Sequence, residues 1–317
     1  MGRGRIIAAG LAGLLALSAC EEAPPPVTPP QARPEPAPAL PDEAIQPPSA
    51  ESEQLAVYYN RLQNDLLVQG LLRGDGGGPD TPFTDTQLAR NFVRIALFDE
   101  YLTDGDILRP QANISRLRRW DEPVRMSVEF GVSVPAPQRA QDQATVSAYT
   151  ARLSRLTGLS IRQTDVNPNF HVLVLNEDDR RAAGNRLREL VPGIGSGSVN
   201  AIVNLPRDQL CIVVAFFDGE NASYSKAVAV IRGEHPPLLR TACFHEELAQ
   251  GLGLANDSPQ ARPSIFNDDE EFGLLTNHDE LLLTMLYDPR LRTGMTAAEA
   301  APIARVLARE LLAPGPS

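Results

Sequence analysis

Residues 244–258, F-H-E-E-L-A-Q-G-L-G-L-A-N-D-S, place polar side chains at spacings close to those of a metalloprotease helix. In such a helix two metal ligands lie four residues apart on one face. A glutamate directly after the first ligand deprotonates a metal-bound water. If His245 were the first ligand, the second would be Ala249, which has no donor atom. A zinc site that starts at His245 is therefore excluded.

A frame shifted by one residue keeps the rest of the pattern. Glu246 then takes the first ligand position, Glu247 that of the general base, and Gln250 the second ligand position. The longer form of the motif has a glycine seven residues after the first ligand and a third ligand at the tenth. Those positions hold Gly253 and Asn256. Glycine accepts a positive φ, so the helix can end there and the chain can turn back.

The three substituted positions offer oxygen ligands, which suit Ca²⁺, Mg²⁺ or Mn²⁺ better than Zn²⁺. Asp257 is an alternative ligand beside Asn256. Three interpretations stay open, and the first is favoured. The polar groups fill the vacated metal space through hydrogen bonds, or they keep a divalent metal or proton-transfer site with Glu247 as catalytic base, or they bind a ligand. No cofactor other than a divalent metal is expected.

Glu246 and Glu247 are also candidates for acid–base work. Adjacent residues of a helix diverge by about 100°, so the two are not expected to face each other. A glycosidase would need a further acid across a cleft, and Asp257, Asp268 or Asp269 could supply it. The acidic run 267–271 is otherwise interpreted as a solvated loop.

The histidines show no metal-ligand spacing. His171 lies in an alternating strand and is expected on the face opposite that strand's apolar residues. His235 precedes two prolines in a loop, and His278 is expected at the surface, in the first turn of a helix.

The N-terminus has the features of an export signal. Arg3 and Arg5 precede an apolar run, residues 6–17, that is too short to span a membrane. The run ends in Leu-Ser-Ala-Cys, which resembles a bacterial lipobox with Cys20 as the lipidated (palmitate-bearing) first residue of the mature protein. Glu21 follows it, which favours the outer membrane, facing the periplasm, over retention in the inner membrane.

Charge and cysteine content restrict the partners. The net charge is −11, and removal of residues 1–19, with two arginines and no acid, brings it to −13. Nucleic acid is therefore excluded as a partner, because it requires basic patches. Apart from Cys20, the chain has Cys211 and Cys243. An even pair in an exported protein predicts a disulfide, with two buried thiols as the alternative.

Four segments follow from these patterns. They are a lipoprotein signal peptide (1–19), a Pro-rich tether (20–50), a helical extension (51–109) and the main domain (110–317). The segment 21–50 holds 11 of the 28 prolines and cannot form a core.

The extension is predicted to contain two helices, one over residues 51–73 and one after Thr84 with an apolar stripe that reaches Leu102. In the main domain, strands come first and helices last, without strict alternation, so the fold class is α+β. A polar helix is predicted over residues 178–190 and a loop over 193–197. Capping-box spacings begin the last two helices, at Thr276 and Thr296.

Ser264-Ile265-Phe266 resembles the Ser-Ile-Met turn beneath the metal of metzincins. Together with the segments 246–254 and 256–258, this turn is the basis of a resemblance that covers residues 120–290. These residues resemble a family of proteobacterial envelope lipoproteins known as domain of unknown function 2927. The resemblance implies a zincin (metzincin)-like domain with a degenerate site. It predicts a membrane-anchored protein that binds a peptide, an envelope polymer or a partner protein without catalysis. The alternative is a peptidase or other hydrolase with an atypical metal site, and whether the chain is an enzyme stays open.

Overall fold

The computed structural model describes residues 46–104, 107–217, 222–267 and 269–313. For residues 101–112, which belong to the strands β1 and β2 defined below, the structure describes the backbone but not the side chains, apart from residues 105 and 106, which it does not describe. The predicted signal peptide, Cys20 and Asp268 lie outside the described residues. Among the helices within them, none is long and apolar enough to cross a membrane.

The described elements follow one another along the chain as helices and strands with these bounds: α1 (Ala50–Val68), α2 (Asp85–Ala96), β1 (Phe98–Asp104), β2 (Ile107–Ile114), β3 (Val124–Phe130), α3 (Ala136–Thr157), β4 (Ile161–Gln163), β5 (Phe170–Leu175), α4 (Glu177–Ala182), α5 (Gly184–Leu190), α6 (Ser196–Val203), β6 (Cys211–Phe217), β7 (Tyr224–Arg232), α7 (Pro237–Gln250), α8 (Asn277–Leu286) and α9 (Ala297–Leu312).

The main sheet has five strands in the order β4-β3-β5-β7-β6. Its strands pair in parallel except β6, which is antiparallel to β7 and lies at one edge. Every residue of β5 is buried, as expected for a central strand covered on both faces. Phe170 and Val172 join the larger core cluster, whereas Leu173 joins a second cluster on the opposite face. The predicted α+β class is confirmed.

Helix α7 packs against the larger core and carries the polar residues of interest. It begins after Pro236, with Pro237 at a first-turn position where the missing N–H costs nothing. Phe244 and Leu248, four residues apart, lie in the larger core cluster. Helix α7 ends at Gln250, and Gly253 has φ of 125°, as the sequence predicted for the turn. A side chain at Gly253 would collide with the backbone oxygen of Arg118.

The second helix of the extension is shorter than predicted. Helix α2 ends at Ala96, and Leu102 lies in β1, which pairs with β2 as an antiparallel hairpin. The prediction of a helical stripe through Leu102 is therefore wrong. The sequence contained a signal for this hairpin, because Gly-Asp, at positions 105 and 106, is a dipeptide typical of two-residue turns. Helix α1 also stops early, at Val68, where Gly70 takes φ of 77°.

The segment after β5 is divided more finely than expected. The single polar helix predicted over residues 178–190 is instead α4 and α5, which are separated at Ala183. The predicted loop over 193–197 ends early, because α6 begins at Ser196. The capping boxes at Thr276 and Thr296 are confirmed. The predicted disulfide between Cys211 and Cys243 is also confirmed, and it joins β6 to α7.

Candidate functional site

A cavity of about 200 Å³ lies between the edge strand β6 and the second half of α7. We call it the acidic cavity, because six carboxylate residues line it: Glu100, Asp208, Glu246, Glu247, Asp257 and Glu270. No lysine, arginine or histidine is among the described residues that line it. Glu246, Asp257 and Glu270 also line an adjoining space of about 60 Å³. Such a concentration of like charge is costly in a confined space unless protons or a cation neutralise it.

Glu246 and Glu247 converge in this cavity. One carboxylate oxygen of each lies within 4.8 Å of the other. The expectation that their divergence on the helix would keep them apart is therefore wrong. The Cα–Cβ bonds of adjacent helical residues do diverge, but a glutamate side chain has three rotatable bonds and can bend back towards a shared space.

Glu247 is the most enclosed of these acids, with 3% of its surface exposed. The backbone N–H of Val213 donates a hydrogen bond to its carboxylate, while Oε2 is buried and has no partner among the described residues. Burial raises the pKa of Glu247 well above its usual value, and the charges of Glu100 and Asp257 raise it further. Without a bound cation, Glu247 thus favours its protonated form.

Glu246 retains some exposed surface, but its environment has the same effect. Loss of hydration raises the pKa of Glu246 well above its usual value, and the neighbouring charges of Glu247 and Asp257 add to the shift. Ionisation of either glutamate therefore disfavours ionisation of the other, and a cation between them would allow both to be ionised.

Gln250 and Asp257 meet at the same cavity, whereas Asn256 turns away. The Gln250 side-chain amide donates to Oδ1 of Asp257 over 3.2 Å. The Asn256 amide instead donates to the backbone oxygens of Arg94 (3.0 Å) and Asp257 (2.6 Å). Asp257, which the sequence offered as the alternative to Asn256, therefore lines the cavity beside Gln250, whereas Asn256 fixes the chain behind it.

His245 has a structural role outside the cavity. Its ring stacks on that of Tyr149, with centroids 4.0 Å apart, and its Nδ1 accepts a hydrogen bond from the backbone N–H of Leu275. Burial lowers the pKa of His245 to about 3, so the ring is neutral at physiological pH.

The residues present do not fit zinc. Cys211 Sγ lies 4.0 Å from Oε2 of Glu246, but this sulfur belongs to the disulfide. It has no proton to donate, and it cannot act as a thiolate ligand unless the bond is reduced. With no histidine or free thiolate on the described lining, the cavity offers only oxygen atoms for metal coordination.

Asp279 of helix α8 holds the Ser264–Phe266 turn in place. Asp279 accepts hydrogen bonds from the Ser264 hydroxyl (2.5 Å) and from the backbone N–H of Ile265 (3.0 Å). Phe266 is fully buried in the larger core. Asp279, recognised in the sequence only as part of a capping box, therefore also fixes the turn that leads to Glu270.

Sequence reasoning missed Glu100, Asp208 and Glu270 as members of the cavity. Glu100 belongs to β1, where a helix was expected, and Glu270 belongs to the acidic run interpreted as a solvated loop. The hairpin signal could have placed Glu100 on a strand. No local pattern indicates that these acids meet α7.

The other histidines are all buried. His278 was expected at the surface, and this prediction is wrong, since it is fully buried with Nε2 3.1 Å from the amide of Asn91. The ring fills a space between α2 and α8, which the sequence of α8 alone does not reveal. His171 faces away from Phe170 as predicted, with Nδ1 3.0 Å from the Ser127 hydroxyl oxygen.

Residues 85–306 match the model of a family described as "Protein of unknown function (DUF2927)". The match covers more than half of the chain, so the chain belongs to this family. No curated protein and no solved structure matches it.

Proposed function

We propose that the chain is a lipid-anchored envelope protein whose acidic cavity binds a cationic ligand without hydrolysing a substrate. The observation that carries the proposal is the unpartnered Oε2 of Glu247, which is buried in a space lined by six carboxylate residues. A bound cation would supply the missing partner. It would also replace the protons that Glu246 and Glu247 otherwise favour.

A hard divalent cation is the ligand that suits the cavity best. Ca²⁺ and Mn²⁺ prefer carboxylate and amide oxygens, and Ca²⁺ accepts irregular geometry. Glu246, Glu247 and Asp257 supply carboxylates, and Gln250 would offer its oxygen after rotation of its amide. Because these carboxylates must lose protons to bind the cation, its affinity rises with pH.

The degenerate metzincin relationship forms part of the proposal. Three features support it: the spacing of Glu246 and Gln250 on α7, the turn at Gly253, and the return of the chain that brings Asp257 to Gln250. On this view oxygen ligands have replaced the ancestral zinc ligands. The cavity still lies where the metal site of a metzincin would lie, but it no longer binds zinc.

Titration calorimetry of the purified full chain with Ca²⁺, Mn²⁺, Mg²⁺ and Zn²⁺ tests the cation site. We expect saturable binding of at least one hard cation, with one ion per chain. Glu246→Gln should weaken it about tenfold or more, because it removes a charged ligand. Glu53→Gln, an exposed substitution on α1, is the matched control and should bind like the unaltered chain.

The alternative function is a peptidase or other hydrolase in which Glu247 is the general base. Its raised pKa and its position in a cavity favour such a role. Tightly bound stoichiometric zinc, together with peptidase activity that is lost in Glu247→Gln, would establish this alternative and overturn the proposal. Failure of every hard cation to bind would also overturn it.

The lipid anchor is proposed from Cys20 and the apolar run before it. In cells given radiolabelled palmitate, the unaltered chain should carry the label and sediment with the outer membrane. Cys20→Ala should abolish the label and release the chain from the membrane. An unlabelled, unanchored wild-type chain would contradict this part of the proposal.

A further inference from the structure

A second cavity, of about 540 Å³, lies between α1 and the region of α4 and Arg232. We call it the arginine cavity, because four arginines line it: Arg180, Arg181, Arg207 and Arg232. Two acids, Glu51 and Glu177, share the lining. The cavity therefore has a positive excess within a chain whose net charge is −11.

The floor of the cavity is a buried charge network. Arg180 and Arg232 are each 1% exposed, and Glu177 lies between them. Nη2 of Arg180 donates to Oε1 of Glu177 over 2.6 Å, and Nη1 of Arg232 donates to Oε2 over 2.8 Å. Nη2 of Arg181 also lies 2.9 Å from Oε1, so one carboxylate is shared by three guanidinium groups. The Nε of Arg180 is buried and has no partner within the part of the chain that the structure describes.

The rim holds two further guanidinium groups. Arg181 makes a two-point contact with Glu51, at 2.7 and 2.8 Å. Arg207 is exposed and lies over the ring of Tyr58, with its guanidinium carbon 5.1 Å from the ring centroid. A guanidinium held over a ring face can still donate hydrogen bonds from its N–H groups.

The cations of the floor repel one another. Burial lowers the pKa of Arg180 below its usual value, and the charges of Arg232 and Arg181 contribute to the lowering, against the opposing effect of Glu177. An anion that entered the cavity would offset this repulsion.

We infer that the arginine cavity binds a small ligand through an oxyanion, either a carboxylate or a phosphate. Planar guanidinium groups recognise both with paired hydrogen bonds, and the cavity has the volume of sites that hold whole small molecules. The acidic surface elsewhere disfavours anions, so the attraction is local. This site is separate from the proposed cation site and does not depend on it.

Calorimetry of the full chain at low ionic strength, in a buffer free of oxyanions, tests the inference with two probes. Inorganic phosphate and glutarate represent the two oxyanions. Saturable binding of phosphate alone would assign a phosphoryl ligand, and binding of glutarate alone would assign a carboxylate ligand. Binding of both would support a general oxyanion site. Lack of saturable binding by both probes in the millimolar range would overturn the inference.

Charge reversal at the rim avoids damage to the buried network. Arg207→Glu should weaken binding about tenfold or more, because it replaces an attractive charge by a repulsive one. Arg61→Glu makes the same charge change on an exposed part of α1 outside the cavity and is the matched control. Equal affinities in the two variants would show that the arginine cavity is not the binding site.

Discussion

The acidic cavity and the arginine cavity are neighbours, but their charged side chains are arranged in opposite ways. Residues Leu205–Arg207 line the arginine cavity, and the chain continues directly into Asp208–Val213, which line the acidic one. In the first, opposite charges are interleaved and neutralise one another. In the second, charges of one sign are gathered, with no cationic side chain among the described residues of the lining.

Two buried glutamates show the difference. Burial alone would raise the pKa of Glu177, but the hydrogen bond from Arg180 and the nearby arginine charges outweigh it and hold the pKa below its usual value. Burial also raises the pKa of Glu247, and there the neighbouring acids add to the shift. Glu177 and Glu247 both expose little surface, yet the first is a charged structural group and the second, in a more deeply enclosed and more acidic setting, binds a proton.

The largest effect should come from breaking the interleaved network with Arg232→Met. This change removes one partner of Glu177 and the donors to the backbone oxygens of Leu205 and Pro206. Loss of one member of a buried ion pair costs about 3 kcal/mol or more. We expect urea denaturation to show a loss of that size in the free energy of unfolding.

Arg290→Met is the control for this prediction. Arg290 also bridges two acids, Asp288 and Glu310, but at the surface, where water screens the charges. Its removal should change stability much less than Arg232→Met does. Equal losses in the two variants would contradict the claim that burial makes the Glu177 network important for stability.

The next effect is a difference in pH dependence between Glu247→Gln and Glu177→Gln. A glutamate with a raised folded-state pKa contributes stability that is full below its unfolded value, near 4.5, and is lost as pH rises. Glu247→Gln should therefore become more stable relative to the unaltered chain as pH increases above 4.5. The slope can reach about 1.4 kcal/mol per pH unit for one group.

Glu177→Gln should behave in the opposite way. Its lowered pKa contributes stability above 4.5 that is lost on acidification, so the substitution should be most harmful near neutral pH and less so in acid. Unfolding free energies provide the measurement, between about pH 2 and 5 for Glu177→Gln and between about pH 4 and 8 for Glu247→Gln. Glu53→Gln, which lines neither cavity, is the reference. For each variant, the difference in unfolding free energy from the unaltered chain is plotted against pH. Slopes of the same sign in the two plots would contradict the contrast between the cavities.

The parts of the site that lie close together in sequence were predictable. Glu246, Glu247 and Gln250 follow helical spacing, and Gly253 is a recognisable helix end, so local periodicity placed them correctly on α7. The predicted export signal implied an oxidising compartment, and this was enough to predict the Cys211–Cys243 disulfide, which is confirmed.

The parts that depend on long-range packing were not predictable. Glu100 and Glu270 reach α7 only after β1 and the turn above Asp279 have packed. Arg180 and Arg232 are on different elements and meet only across Glu177. A single sequence records which residues carry charge but not which charges face each other, and here that distinction separates the two cavities.

The smallest effect separates Asn256 from Asp257 within the acidic cavity. Asn256 is 5% exposed and donates to two backbone oxygens, so Asn256→Ala should cost about 1 kcal/mol of stability by leaving acceptors unpaired. It should leave the affinity for the hard cation nearly unchanged. Asp257→Asn keeps the side-chain shape but removes a ligand charge, so it should weaken cation binding with little loss of stability.

Denaturation and calorimetry of the same two purified variants distinguish these outcomes. If Asn256→Ala abolished cation binding while Asp257→Asn did not, the Asn256 side chain would have to leave its contacts with Arg94 and enter the cavity. That result would restore Asn256 to the ligand position indicated by motif spacing. The expected result instead makes Asp257 the third corner, because its carboxylate already meets the Gln250 amide at the cavity wall.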